Sequence, residues 1–427
     1  MKRLEALVLL VTLLLVLQGK KGIAAGEDGF VKTNGAQFTL DGAPFYANGF
    51  NAYWLMYVAA DPSPSERQKV STLFQEARGH GLAIARTWAF NDGTQDRALQ
   101  ISPGLYSEQT FQKALDLVVS EAKKNGIKLI LSLVNNYEHY GGKKQYANWG
   151  RSQGQSISSD DDFFTNSVIK GFYKNHIKTV LTRRNTITGV DYKDEPAIMA
   201  WELMNEPRCT SDPSGRAIQE WITEMAAYLK SIDGNHLLEV GLEGFYGQSE
   251  SQKQQDNPNF QVGTDFIANN QIPEIDFATV HSYPDQWLPS SDDRSQQDFL
   301  THWLQVHIQD SQNVLRKPVL FAEFGKSLRT APVEQRDRLF DTVYTAIYSS
   351  ARAGGAAAGG MFWQLFTEGM HNFGDGYEVV LSENGSTAGI IADQSNKLNR
   401  IRRLYLELRN RARWAGGNGI RHNGIGN

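Results

Sequence analysis

Cysteine is almost absent: Cys209 is the only one in 427 residues. A single thiol closes no internal disulfide, so the fold must be held by its core alone. No His stands beside it in a recognisable partner motif, and the thiol reads as structural rather than nucleophilic. An excess of positive charge is missing too. Lys and Arg number 43 against 47 Asp and Glu, for a formal net charge of -4, which offers no basic field to a polyphosphate and excludes nucleic acid as a partner. Nowhere does an apolar run reach the roughly 20 residues of a membrane span. The nine His include no HExxH pair and no cluster with Cys, so neither a catalytic metal nor a cofactor is indicated. The glycines between Gly354 and Gly360 lack the Lys-Ser/Thr of a phosphate loop. No Pro- or Ser-rich linker interrupts residues 30–413, which argues for one domain.

The ends of the chain differ from this body. Met1-Lys2-Arg3, the apolar stretch Ala6–Leu17 and the small residues Gly22, Ala24 and Ala25 follow the order of a secretory signal peptide. Residues 1–25 are expected to be removed, leaving a mature, secreted protein with no membrane attachment. Residues 26–413 would form the domain. Residues 414–427, rich in Gly and Asn without apolar period, read as a flexible tail. Asn384-Gly385-Ser386 is a glycosylation sequon in what reads as a surface loop.

Within the body one theme repeats: a short apolar run, a polar loop, then a longer stretch of helical period. The runs are Phe45–Phe50, Leu82–Trp88, Ile127–Val134, Ile198–Met204, Leu237–Leu242, Phe277–Ser282, Val319–Phe324 and Gly360–Phe366. Helical candidates between them are Glu66–Arg78, Glu108–Lys124, Phe163–Leu181, Arg216–Ser231, Gln297–Gln312 and Glu334–Ser350. Apolar strands alternating with helices mean a parallel sheet buried on both faces, and eight such units close into a (β/α)8 TIM barrel. Phe30–Leu40 with the Asp41-Gly42 turn reads as an N-terminal β-hairpin that plugs the barrel floor.

A (β/α)8 barrel places its active site where the strands end, so polar residues there are the ones to collect. They are Arg86 and Trp88 after the second run, Asn205 and Glu206 after the fourth, His281 and Tyr283 after the sixth, Glu323 in the seventh and Trp363 in the eighth. Hydrolysis of a glycosidic bond needs two carboxyl groups, and Glu206 with Glu323 supply them. For Glu206 to act as the acid, its pKa must be raised relative to Glu323, while Arg86 keeps Glu323 ionised. Glu202 lies deeper in its strand, where a paired structural role is expected. Strict alternation would put Asn205 and Glu206 on opposite faces, so the strand must end or bulge there. His281 and Tyr283, two apart, share one face; Tyr283 can hydrogen-bond the nucleophile and His281 can orient a carboxyl group. Trp363 and Trp88 offer flat apolar faces to a pyranose ring.

Taken together, Gly49-Phe50-Asn51-Ala52-Tyr53-Trp54, Arg86-Thr87-Trp88-Ala89-Phe90-Asn91-Asp92-Gly93, Gly141-Gly142-Lys143-Lys144-Gln145-Tyr146, Trp201-Glu202-Leu203-Met204-Asn205-Glu206-Pro207, His281-Ser282-Tyr283-Pro284-Asp285 and Phe321-Ala322-Glu323-Phe324-Gly325 give a specific pattern. The sequence resembles the plant-type endo-β-1,4-mannanases of glycoside hydrolase family five over nearly its whole mature length. The resemblance implies a retaining double displacement, with Glu206 as acid/base, Glu323 as nucleophile and Arg86, Asn205, His281, Tyr283 and Trp363 around the cleavage point. It also implies mannan, galactomannan or glucomannan of the plant cell wall as substrate, extracellular location in that wall, and a monomer. Rival readings keep the fold: a mannan transglycosylase, a β-1,4-glucanase or a noncatalytic mannan-binding protein. Two costly carboxylates argue against the last.

Overall fold

Eight short segments with almost every residue buried line up as one parallel sheet. The structure, a computed structural model, describes residues 29–258 and 262–418, with side chains only as far as 411 in the last helix. The expected signal peptide, residues 1–25, lies outside the described residues. Barrel strands β1 to β8 are Ala47–Asn51, Ile84–Trp88, Lys128–Ser132, Ile198–Glu202, Leu237–Glu239, Ala278–Ser282, Val319–Phe324 and Ala357–Phe362. Their order in the sheet is β5-β4-β3-β2-β1-β8-β7-β6. Between β5 and β6 the ladder is replaced by single bonds: Asp276 N donates to Leu238 O at 2.8 Å and His281 N to Glu243 O at 2.9 Å. The barrel is thereby closed, as the eight apolar runs predict.

Each strand leads to a helix on the outside: α1 Pro64–Gly79, α2 Asp116–Asn125, α3 Ser167–Leu181, α4 Arg216–Ile232, α5 Phe266–Gln271, α6 Asp293–Asp310, α7 Val333–Arg352 and α8 Gly385–Asn418. Six of them match the helical candidates, each with an apolar stripe turned to the sheet, as in Val70, Leu73, Phe74 and Ala77 of α1. The short α5 and the long α8 were not among the candidates. The backbone of α8 continues through residues 414–418, where the composition predicts a flexible tail; residues 419–427 lie outside the described residues. Asn384 is half-buried in the surface loop just before α8, between the exposed Glu383 and Gly385, and its Oδ1 accepts from Val380 N at 2.8 Å. Cys209 is buried, and burial pushes its thiol pKa up, which fits the structural reading.

The N-terminal hairpin is present with a shifted turn. Val31–Asn34 pairs with Gln37–Leu40 around Gly35 and Ala36, and the Asp41-Gly42 turn joins this to a third short strand, Ala43–Pro44. It closes the barrel floor: Val31 and Phe38 join one cluster with Ile84, Ile130, Leu237, Phe277, Leu320 and Met361. Phe38 meets Phe277 edge-on at 5.1 Å. Burying each such side chain contributes about 1.5–3 kcal/mol.

Candidate active site

Two residues above the floor the same strands turn polar. On β2 the inward positions run Ile84, Arg86, Trp88, from the apolar cluster to the mouth. Arg86 is fully buried, and all five guanidinium N–H groups have acceptors. Nε and one Nη bind Glu202 side-on at 2.5 and 2.7 Å. The other bonds reach Asn51 Oδ1 at 3.0 Å, Glu323 Oε1 at 2.6 Å and Asn205 Oδ1 at 2.7 Å. Burial works against the charge on Arg86, but Glu202 and Glu323 outweigh it and hold the group cationic. Glu202 is therefore the paired structural carboxylate that its depth suggests. Glu239, its register partner on β5, is pushed far above the ordinary carboxyl value by burial and by the charge of Glu202. Glu239 Oε2 accepts from Gly241 N at 2.5 Å and from Thr279 Oγ1 at 3.2 Å.

Strand β4 ends at Glu202, which resolves the alternation problem. Glu206 takes a left-handed backbone, φ 49°, and its carboxylate swings to the same side as Asn205. Its N–H donates to Gly241 O at 3.0 Å. A Cβ on Gly241, φ 95°, would lie 1.8 Å from Met204 O, so only glycine allows this approach. Glu206 Oε1 is 2.6 Å from His281 Nδ1, and Oε2 accepts from Tyr137 at 2.9 Å. Glu323 Oε2 accepts from Tyr283 at 2.7 Å. One oxygen of each carboxylate and a ring nitrogen of His281 lie within 4.8 Å of one another. Each of the four carboxylate oxygens lies within hydrogen-bond distance of a protein partner, from Arg86, Tyr137, His281 and Tyr283.

The expected order of acidities is reversed in the unliganded site. Burial acts to raise Glu206, but the hydrogen bond and charge of His281, with Arg208 and Tyr137, hold it below its ordinary value. Burial does raise Glu323, beyond what His281 and Arg86 draw back. His281 lies above its ordinary value because Glu323 and Glu206 outweigh its burial. The physical reason for the reversal is the 2.6 Å contact between His281 and Glu206, which favours a charged carboxylate there while Glu323 is governed by its burial.

Trp363 and Trp88 both line the cleft, a cavity of about 640 Å3. Trp363 stacks on Tyr53 at 5.7 Å and its indole N–H donates to Asp375 at 2.7 Å. Trp88 is nearly buried, packed on Phe90 at 5.3 Å and tilted against Trp363. All eight residues singled out in the sequence thus meet at one mouth.

Comparison with known proteins decides the family. The model of the glycoside hydrolase (GH) family 5 beta-mannosidase-like group matches residues 28–372. The chain belongs to that family. It is 62% identical over 393 residues to mannan endo-1,4-beta-mannosidase 7 of Arabidopsis thaliana, covering 92% of this chain and 90% of that protein. It is 60% identical over 428 residues to mannan endo-1,4-beta-mannosidase 1 of Oryza sativa subsp. japonica, covering 99% and 98%. Among solved structures, the endo-1,4-beta-mannanase of Rhizomucor miehei superposes with a TM-score of 0.73 at 31% identity, over 87% of this chain and 99% of that one.

Several residues of this family-5 site escaped the sequence reading. Tyr137 lies in the polar loop after β3, which Gly142 seats: a Cβ there would fall 1.8 Å from Tyr137 O. Glu243 is paired with Arg208 at 2.6 and 2.8 Å, and burial with the charge of Glu206 pushes it up to about 7. Glu239 left a signal, an acid inside the apolar run Leu237–Leu242. Asp375 left none, since its loop carries no strand or helix pattern.

Proposed function

We propose that this protein is an endo-acting, retaining hydrolase of internal β-1,4-mannosidic linkages in mannan, galactomannan and glucomannan. The observation that carries the reading is the carboxylate pair, with oxygens within 4.8 Å across the mouth. That approach suits the roughly 5–5.5 Å separation of retaining enzymes and falls well short of the roughly 6.5–9.5 Å of inverting ones. Family 5 is a retaining family, and the Arabidopsis and rice relatives carry the mannanase name along nearly their whole length.

In this reading Glu323 attacks the anomeric carbon and forms a glycosyl ester as the bond to the leaving oxygen breaks. Glu206 gives that oxygen a proton, which His281 supplies along the 2.6 Å hydrogen bond. Glu206 then takes a proton from water, whose oxygen attacks the same carbon and releases Glu323, with net retention. Arg86 and Tyr283 hold Glu323 in place and stabilise its charge as it leaves. Trp363 supports the apolar face of the sugar.

Reducing-end release from linear mannan by the mature protein, beside its Glu323→Gln variant, tests this. Cleavage that vanishes in the variant is expected. Cleavage of soluble cellulose derivatives alone would make the protein a β-1,4-glucanase, products longer than the substrate would make it a transglycosylase, and binding without cleavage a mannan-binding protein. We also propose secretion to the cell wall as a monomer glycosylated at Asn384, supported by the leader pattern in residues 1–25 and by the sequon. The mass of the secreted protein, before and after glycan removal, and its sedimentation test these points.

A further inference from the structure

The net charge of the protein is -4, yet residues 393–411 of α8 hold six basic residues against two acidic ones. Lys397, Arg400, Arg403 and Arg411 are exposed, and steps of three and four bring them to one face of the helix. With a rise of about 1.5 Å per residue, the row runs for about 21 Å. Among the described residues none of the four has an ion-pair partner, and neither has Asp393 or Glu407 beside them. Like charges a turn apart weaken a helix, so the row costs stability that no contact of its own offsets.

Neighbouring helices widen the row. Arg352, the last residue of α7, lies over the Tyr348 ring at 5.8 Å and Lys397 over the same ring at 5.9 Å, so one aromatic holds two cations side by side. On the other flank the turn after α1 meets α8. A Cβ on Gly81 would lie 3.0 Å from Ser395 Cβ and 3.5 Å from Asn399 Nδ2, and the exposed Arg78 precedes that turn. The face borders the floor of the barrel. Arg402, next to Arg403, donates to Leu40 O at 3.0 Å, and Arg409 donates to Asp41 O at 3.2 Å, both in the N-terminal hairpin and its turn.

We infer that this face docks an anionic polysaccharide, a linear chain of uronic acid units, while the mouth at the opposite end of the barrel stays open. Guanidinium groups match carboxylates two bonds at a time, and a row of about 21 Å suits an extended polymer rather than a small anion. Two other anionic partners fit less well. The acidic remainder of the protein repels the denser charge of a nucleic acid. A lipid surface asks for apolar side chains to insert, and among the described residues no large apolar side chain of α8 is exposed. That the polymer is a polysaccharide rests on the proposed place of the protein in a cell wall; the face itself rests on the charges.

Affinity electrophoresis tests this, in gels holding polygalacturonate or its full methyl ester, which keeps the chain and removes the charge. The parent is expected to be retarded by the first alone. Arg400→Gln/Arg403→Gln/Arg411→Gln should weaken that binding by about five- to fiftyfold and leave mannan turnover within about twofold of the parent. Lys113→Gln/Arg216→Gln/Arg294→Gln, which removes three exposed charges from elsewhere, should bind as the parent does. Equal loss in both triple variants overturns the inference, since net charge alone then governs binding. No retardation of the parent overturns it too, and so does tighter binding to duplex DNA or to vesicles of anionic lipid at the same salt. A parent that cuts no mannan, yet loses polygalacturonate only with the α8 charges, removes the proposed function and leaves the docking face standing.

Discussion

The floor and the mouth of this barrel are built on the same strands, two residues apart, and obey different rules. At the floor, Phe38, Ile84, Phe277, Leu320 and Met361 bury apolar surface, and each contributes separately. At the mouth, Arg86, Glu202, Glu239, Glu206, His281 and Glu323 are buried only because each answers another. A gap in the floor loses its own contacts. A gap in the mouth leaves its partners charged and unpaired.

Arg86→Met breaks the comparison most severely. It fills similar volume but strands Glu202 and Glu323, so chemical denaturation should show a loss of about 3–5 kcal/mol, with turnover abolished. Phe277→Ala should lower stability by a similar amount, about 3–5 kcal/mol, while mannan turnover stays within about twofold of the parent, because the floor holds no reacting group. If Phe277→Ala silences the enzyme at permissive temperature, the two regions are not separable. Glu206→Ala should reduce turnover of polymeric mannan by about 10²–10⁴-fold, yet spare substrates whose leaving groups need no proton. Equal loss on both substrates would take the acid role from Glu206.

The smallest effect concerns pH. Asp92, above the mouth after β2, is pushed up from 3.8 to about 8 by burial, which Gln100 only partly offsets. Its folded pKa is raised, so its contribution is full below the unfolded value and is lost as pH rises towards about 8. Asp92→Asn mimics the protonated acid and should flatten that part of the stability profile, making the variant relatively more stable at pH 7 than at pH 4. An unchanged profile in thermal unfolding at the two pH values would show that Asp92 does not titrate in this window.

The barrel was legible because parallel strands buried on both faces leave continuous apolar runs; seven strands lie within theirs or pass it by one residue, whereas the eighth, Ala357–Phe362, starts three residues early because Ala357–Gly359 are too small to read as an apolar run. The short α5 hardly repeats its stripe, and α8 begins in a polar loop that masks its start. At the mouth, residues on strand ends were readable because fold geometry alone aims them: Arg86, Glu206, His281 and Glu323 needed no contact information. Tyr137, Arg208, Glu243 and Asp375 come from loops, where position follows from packing with distant segments. The order of acidities was misjudged for the same reason, since it depends on a 2.6 Å contact between residues 75 apart in the chain.

Glu206 stands on a left-handed backbone, φ 49°, that glycine or asparagine adopts more readily than glutamate. Folding and catalysis therefore pull in opposite directions at this one position. Glu206→Gly relieves the backbone but takes the acceptor from Tyr137 and His281, so the backbone gain is set against two lost contacts as the chemistry disappears. A library of this protein sorted only for solubility or heat tolerance would be blind to the loss of chemistry at residue 206. Engineering for robustness has to screen activity in every round.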